Sequence, residues 1–424
     1  MSNTVERIRE KIASWRLHLN WRWLQLRASL CRSPSEDCPP SLVLVPCEPW
    51  SVIGSRGDEA MVYSILRDFR SRHTEGSVTI VTGVPSFGET DDGKRLAHDF
   101  GAKFAYAWRP RLFLSYIVQA YREARATEVF VLGADCMDGH WSQSLSIILL
   151  AAADIAARMG ISTRLTGFSW NDCPDKKVIR AFRRVTHKLP VLVRDPVSYE
   201  RFRRDVLLAR GVKTSLVADV AFNLRPSITS QVQPHLDWME EQRAKGRFVL
   251  GFNLHSMLVK KDALPEFVAT VTAQLGRFMA DHQDVALLLV PHDYRTEGDL
   301  AVLEKVADGL AEVSDRVRLV TTVLAAEELK GLMKGLDALF TSRMHLGIAA
   351  LGMSRPVAAF AYQGKFVGLF RHFQLPAEWI LEPGGANRLS ETLGELVTGA
   401  KRAARQIEDR LSAIRELARD NLLA

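Results

Sequence analysis

The chain has 424 residues, of which 47% are hydrophobic and 25% charged, a composition that suits a soluble globular protein and a length that suits two domains. Its formal net charge of +7 is modest for this length and does not point to nucleic acid; a small anionic substrate or an acidic membrane surface fits equally well. The five cysteines form no C-x-x-C pair, and an odd count argues against a disulfide framework, so a reducing cytoplasm is expected. No secretory signal is recognisable, and the most apolar stretch, residues 145–157, is too short to span a bilayer and contains Asp154.

In chain order, residues 1–32 come first. Val5, Ile8, Ile12, Trp15, Leu19, Trp23, Leu26 and Leu30 recur at three- and four-residue spacing, with arginines over much of the remaining surface. This predicts an amphipathic helix that either packs on protein, its own or another chain's, or lies in a membrane interface. Residues 33–40, with three prolines among polar residues, read as a linker.

From residue 41 to 225 short apolar runs alternate with helical patterns. Strands are expected at Leu42–Val45, Val78–Thr82, Phe104–Trp108, Val129–Leu132, Arg164–Phe168, Val191–Val193 and Ser215–Val217, with helices from Asp58 to about Arg70 and over Leu114–Ala126, Leu145–Met159 and Tyr199–Ala209. The pattern restarts over residues 226–388. Strands there are expected at Phe248–Phe252, Val285–Val290, Val317–Val320, Ala338–Thr341 and Val357–Phe360, with helices at Leu264–Ala280, Asp299–Ala311 and Ala326–Gly335. Residues 389–424 read as two polar helices, Leu389–Thr398 and Ala403–Leu423. Continuous apolar strands separated by amphipathic helices imply parallel sheets covered on both faces. The fold class is therefore α/β, two Rossmann-like domains facing across a cleft, with an extra N-terminal helix. Ligands of such sheets bind outside the carboxyl ends of the strands.

Polar clusters at those ends are the candidate site. Ser342-Arg343-Met344-His345 follows an apolar strand and opens a small-residue helix. If the backbone is still extended there, Arg343 and His345 share a side, where one can grip an anion and the other exchange a proton. The alternative is a capping histidine beside a structural Arg–Asp bridge. His292, in Val290-Pro291-His292-Asp293, and Arg194, in Val193-Arg194-Asp195, hold similar positions, although turn-capping and helix-capping roles explain these clusters too. Asp58 and Glu59 follow Gly54-Ser55-Arg56-Gly57; Asp58 is placed to cap the first helix, and either carboxylate could serve as a base toward a hydroxyl. Gly133 and Asp135 end the central strand of the first domain, where small residues let a substrate approach the backbone. No metal-ligand spacing is present, and no metal is expected.

Taken together these strand ends resemble the polysaccharide pyruvyl transferase family. The likeness rests on Gly57-Asp58-Glu59-Ala60, Leu132-Gly133-Ala134-Asp135, Val193-Arg194-Asp195, Val217-Ala218-Asp219-Val220-Ala221-Phe222, Val290-Pro291-His292 and Ser342-Arg343-Met344-His345, in order over residues 41–385. Ser55-Arg56 stands where family members often carry an asparagine. The resemblance implies a fold similar to two-domain GT-B glycosyltransferases. The implied activity moves the enolpyruvyl group of phosphoenolpyruvate onto two hydroxyls of a saccharide or lipid-linked saccharide, without a cofactor. Under it His345 is the general acid, Arg343 and Arg194 hold the donor anion, and His292 and Ser342 assist, while Asp58, Glu59, Gly133 and Asp135 serve the first-domain, acceptor side. The implied setting is surface polysaccharide or glycolipid assembly in the cytoplasm; independently of the resemblance, Trp15, Trp21 and Trp23 with flanking arginines in residues 1–32 offer a peripheral contact with the inner face of the membrane, and a homo-oligomer is a further expectation. A nucleotide-sugar glycosyltransferase and a non-catalytic scaffold of the same fold are the alternatives.

Overall fold

The computed structural model describes residues 16–28, 38–109, 113–185, 188–206, 211–295, 298–361 and 364–422. The chain divides into two compact α/β units. Unit 1 comprises Met1–Gly54, Met61–Val220 and Leu417–Ala424; unit 2 comprises Ser55–Ala60 and Ala221–Glu416. This differs from a simple division near residue 225 at two places. The segment Ser55–Ala60 packs with unit 2, and the last residues return to unit 1.

Unit 1 holds a seven-stranded sheet. Its strands are β1 (Ser41–Val45), β2 (Ser77–Thr82), β3 (Ala102–Tyr106), β4 (Glu128–Val131), β5 (Ser162–Phe168), β6 (Leu189–Val193) and β7 (Val212–Leu216). All pairs are parallel, in the order β3-β2-β1-β4-β5-β6-β7. Strand direction from the core thus reverses between β1 and β4, which makes their carboxyl ends the switch point of this sheet. The helices are α1 (residues 16–28), α2 (Arg56–Arg72, which begins in unit 2), α3 (Asp91–Phe100), α4 (Phe113–Glu123), α5 (Gln143–Arg158), α6 (Lys176–Phe182) and α7 (Pro196–Val206). Of these, α3 and α6 escape the sequence pattern because both are short and mostly charged or capped by a single residue, Thr90 and Asp175 respectively. The β3 strand lies two residues earlier than its apolar run suggests, since Ala107 and Trp108 are buried beyond its end.

The N-terminal stretch is described only from residue 16; Val5, Ile8, Ile12, Trp15 and Leu30 lie outside the described residues. Within α1 the buried face is Trp21, Leu24 and Ala28, while Leu19, Trp23 and Leu26 are exposed. The stripe read from periodicity is therefore not the face that packs. What fixes the register is polar. The Trp21 indole and the Gln25 amide donate to Asp154 Oδ2 at 2.9 and 2.7 Å, and Arg158 lies 3.3 Å from the same carboxylate. Asp154 is fully buried in the otherwise apolar α5, a position it could not hold without such partners.

Unit 2 holds a six-stranded parallel sheet of β8 (Phe248–Phe252), β9 (Val285–Leu289), β10 (Val317–Leu319), β11 (Ala338–Thr341), β12 (Val357–Phe360) and β13 (Ile380–Leu381), ordered β10-β9-β8-β11-β12-β13. Its switch point lies between β8 and β11. The helices are α8 (Gln233–Ala244), α9 (Leu264–Asp281), α10 (Asp299–Asp308), α11 (Ala326–Met333), α12 (Met344–Leu351), α13 (Lys365–Phe373) and α14 (Leu389–Arg419). The two tail helices expected from sequence are one: α14 is a continuous 31-residue helix. The residues between the two expected helices, Gly399 to Arg402, include a glycine that only weakens helix propensity, and Gly399 packs against Trp379.

Because Trp21 is both a buried ring and a donor to Asp154, Trp21→Ala should cost about 3–5 kcal/mol. Trp21→Phe, which keeps a ring and removes the donor, should cost nearer to about 1–3 kcal/mol. Denaturant unfolding midpoints of the two variants check this ordering.

Candidate active site at the strand ends of unit 2

Three strands of unit 2 deliver polar residues to one place. After β8 come Asn253 and His255; after β9 come His292, Asp293 and, at the first position of α10, Asp299; after β11 come Ser342 and Arg343, with His345 in the first turn of α12. Asp299 joins them. Its carboxylate is fully buried and receives Asn253 Nδ2 at 2.9 Å, the His292 backbone N–H at 3.1 Å and Arg343 through Nε at 3.1 Å and Nη2 at 2.6 Å. Arg343 Nη2 also reaches Asp293 at 3.1 Å. Asn253 in turn accepts from Thr341 Oγ1 at 3.1 Å and from Ser342 Oγ at 3.4 Å, and Ser342 Oγ accepts from the His255 backbone N–H at 2.6 Å.

Arg343 thus forms a carboxylate bridge, one of the two roles its sequence context allows. Its bonds run through Nε and Nη2, and Nη1 has no protein partner among the described residues. The shared-side expectation for Arg343 and His345 is corrected in its reasoning. Arg343 is the extended N-cap of α12, but the helix starts at Met344, so strand alternation does not reach His345. The His345 ring instead turns toward Gly57, where a Cβ would sit 2.3 Å from its Nδ1. Only glycine fits under that ring.

The segment Ser55–Ala60 supplies the other wall. Helix α2 starts at Arg56, not Asp58, and its cap is Ser55, whose Oγ accepts from the Asp58 N–H at 3.1 Å and donates to Asp58 Oδ2 at 2.7 Å. Glu59 is buried; it pairs with Arg56 at 2.7 Å and accepts the Ala326 N–H at 3.2 Å, capping α11. Arg56 also lies over the Tyr294 ring at 5.7 Å. A small pocket here is lined by Arg56, His292, Lys330 and His345 among apolar side chains of α11 and α12.

Burial and neighbouring cations shape the electrostatics of the pocket and of the strand ends beside it. His292 is 5% exposed, its Nδ1 has no hydrogen-bond partner, and burial with the charges of Arg343, His345 and Arg56 holds its pKa well below the usual histidine range. Burial and Arg343 push His255 down to about 3, and its Nδ1 accepts the Met257 N–H at 3.1 Å. Burial, with Arg415, pushes Lys330 down to about 7; its ammonium donates to the Ala221 and Phe222 carbonyls at 3.3 and 2.9 Å. Burial works against ionisation of Asp293, yet hydrogen bonds from Arg295 and the charge of Arg343 outweigh it and hold that carboxyl far below its usual range.

A second pocket, of about 580 Å³, opens beside Asp293. It is lined by Met257, Val259, Leu264 and Val302 and by Lys261, Arg295 and Lys305.

The remaining sequence candidates lie in unit 1. Arg194 is buried there in a pair with Asp219 at 2.8 Å and donates to Ser169 Oγ at 2.9 Å; Asp195 caps α7 through the Ser198 N–H at 2.8 Å. Gly133 leaves room for β5, since a Cβ would meet Phe168 and the Thr166 carbonyl at 2.8 Å. Asp135 accepts the Trp141 indole N–H at 3.2 Å. Sequence reasoning missed Asn253, His255, Asp299, Lys330 and Arg56. Asn253-Leu254-His255 could have been found by the strand-end rule that selected His292. Lys330, inside a helical pattern, gives no such signal. Among the described residues no group of three His, Cys, Asp or Glu side chains is placed to hold a metal ion.

A model of the polysaccharide pyruvyl transferase family matches residues 56–364. No protein of curated function matches the chain. Among solved structures, a glycosyltransferase from Rickettsia africae superposes with a TM-score of 0.54 at 11% identity, covering 90% of this chain and 97% of that one. HepE from Anabaena in complex with UDP-glucose gives 0.52 at 12% identity over 90% and 98%, and MnaA of S. aureus with UDP gives 0.54 at 10% over 88% and 91%. At these identities the likeness is one of fold.

A histidine held neutral in the native state titrates near 6.5 once unfolded. Between pH 6.5 and about 3 the unfolded chain therefore binds protons that native His255 refuses, so stability is present above pH 6.5 and falls as pH falls through that window. His292 acts in the same sense. His255→Asn should flatten the loss of stability between pH 6.5 and 4.5, as read from denaturant midpoints across pH.

Proposed function

The chain belongs to the polysaccharide pyruvyl transferase family, and from that premise we propose that it transfers the pyruvyl group of phosphoenolpyruvate to a saccharide as a cyclic ketal. The observation that carries this reading is the pocket in which Arg56, His292, Lys330 and His345 converge. The donor is a small polyanion, and the two cations and two histidines that converge here, around a space that holds a water-sized group, carry the charge and proton donors such an anion requires. His345 is the general acid: its proton goes to the methylene carbon C3 as an acceptor hydroxyl attacks C2. A second hydroxyl of the same sugar then displaces phosphate at C2. Of the two hydroxyl protons released, one restores His345 and the other leaves with phosphate. Arg56 and Lys330 bear on the phosphate and carboxylate; Arg343, tied to Asp299 and Asp293, fixes the strand ends and offers Nη1. Glu59, spent on Arg56 and α11, is a positioning residue in this scheme.

A second reading is a glycosyltransferase using a nucleotide sugar. It is supported by the 580 Å³ pocket, whose apolar wall and three cations suit a base and a diphosphate.

The two separate in one assay set, phosphate release from phosphoenolpyruvate with a glycan acceptor against nucleotide release from a nucleotide sugar. Under the first reading His345→Ala lowers kcat by about 10²- to 10⁴-fold with folding intact. Gly57→Ala, which displaces the His345 ring, lowers kcat in the same direction. Nucleotide release with no phosphate release overturns the pyruvyl assignment.

We further propose that α1 docks the protein on anionic lipid. No helix among the described residues is long and apolar enough to cross a membrane. Cations stand on the same helix and beside it: Leu19, Trp23 and Leu26 are exposed, Arg27 lies 4.6 Å over the Trp23 ring, Arg22 and Arg180 bear on Arg184, and Arg184 and Lys177 bear on His18. Trp and Leu beside clustered cations suit the headgroup region. The full chain should co-sediment with phosphatidylglycerol-containing vesicles, not with pure phosphatidylcholine. Trp23→Ala/Leu26→Ser should lose that binding and keep its catalytic rate in solution; unchanged sedimentation of the variant overturns the idea.

A further inference from the structure

The carboxyl ends of β1 and β4, where the sheet of unit 1 reverses, carry two tryptophans that are half-exposed, Trp50 at 53% and Trp141 at 49%. Neither is a loosely held surface residue. Trp50 meets Trp108 edge to face with centroids 6.2 Å apart and packs on Gly83, where a Cβ would come within 2.9 Å of its ring. It therefore leans over the loops that follow β2 and β3. Trp141 stands on the opposite flank of the switch point. Its indole N–H donates to Asp135 Oδ2 at 3.2 Å and its ring meets His140 edge to face at 5.4 Å.

The loop that holds Trp141 is tied down from below. Asp138, 2% exposed, accepts the backbone N–H of His140 at 2.9 Å and of Asn171 at 3.2 Å. Ala134 adopts φ +46°, a left-handed conformation that costs a non-glycine residue strain, and Gly139 adopts φ +85°. Strained backbone, a buried anchoring carboxylate and a fixed but open indole face together describe a built surface.

We propose that Trp141, with Trp50 on the other flank, is the platform for the saccharide acceptor, an inference that rests on the transferase reading above. A pyranose has an apolar C–H face and a rim of hydroxyls. The indole face takes the former, and the Asp135 carboxylate accepts from the latter. The Asp135 carboxylate beside the indole disfavours a phosphate, so a neutral sugar fits this end of the unit better than a nucleotide. Stacking through one ring face leaves the hydroxyl rim open for the two bonds of a ketal.

The test uses the full chain and a panel of methyl hexopyranosides with their 2-acetamido forms, measured by saturation-transfer NMR and as acceptors. Trp141→Ala should raise the Kd and acceptor KM about tenfold, Trp141→Phe much less, with the KM for phosphoenolpyruvate unchanged. Pyranoside binding that depends on Trp141 without any phosphoenolpyruvate turnover supports the platform and sinks the pyruvyl reading alone. Turnover whose acceptor KM ignores Trp141→Ala sinks the platform alone. Absence of pyranoside binding across the panel, or Trp141-dependent binding of UMP in its place, overturns the assignment of this surface to a neutral sugar.

Discussion

The buried carboxylate of Asp299 organises the candidate site. A charge without solvent exposure is tolerable only when its lone pairs are filled, and here they are filled by the ends of three different strands: Asn253 after β8, the His292 backbone after β9 and Arg343 after β11. The same bonds that neutralise the carboxylate set the positions of the loops. Removing it would leave Arg343 with Asp293 alone and release the His292 backbone, so the geometry of the site and the stability of unit 2 are coupled through one side chain.

That coupling explains why much of the fold was legible in sequence and only part of the site. β8, β11 and β12 fall where their apolar runs place them, because a strand buried on both faces declares itself residue by residue. His292, Ser342, Arg343 and His345 were marked by their place after such strands, and they are brought together. Asp299 is read from sequence as an ordinary helix start, since nothing local distinguishes a capping carboxylate from one that binds across three strands. Strand alternation likewise could not aim His345, because the chain turns helical one residue before it.

The segment Ser55–Ala60 shows the same limit from another side. The carboxylates there read from sequence as candidate bases, yet Asp58 is bonded to Ser55 and Glu59 to Arg56 and the start of α11. The residues that reach the pocket are the plainer ones. Gly57 admits the His345 ring by having no side chain, and Arg56, which is not read from sequence as a site residue, lines the pocket. A missing Cβ is visible only once the neighbour that fills its place is known.

The two units use the same strand-end plan with opposite polar bookkeeping, and the contrast argues for a division of labour. In unit 1 the buried guanidinium of Arg194 is matched by Asp219 and Ser169, and Asn421 closes the adjacent backbone, accepting from the Gly167 N–H and donating to the Ala218 carbonyl, each at 2.8 Å. These groups are satisfied internally, and after β1 and β4 of the same sheet stand the half-exposed Trp50 and Trp141. In unit 2 the buried Nδ1 of His292 has no partner, in surroundings of Arg56, Arg343 and His345 that favour negative charge. An unmet buried polar atom costs on the order of 1–3 kcal/mol, a cost that a bound anion would relieve. Under the proposed reading ionic recognition falls to unit 2, and the half-exposed indoles of unit 1 are what would meet a neutral sugar.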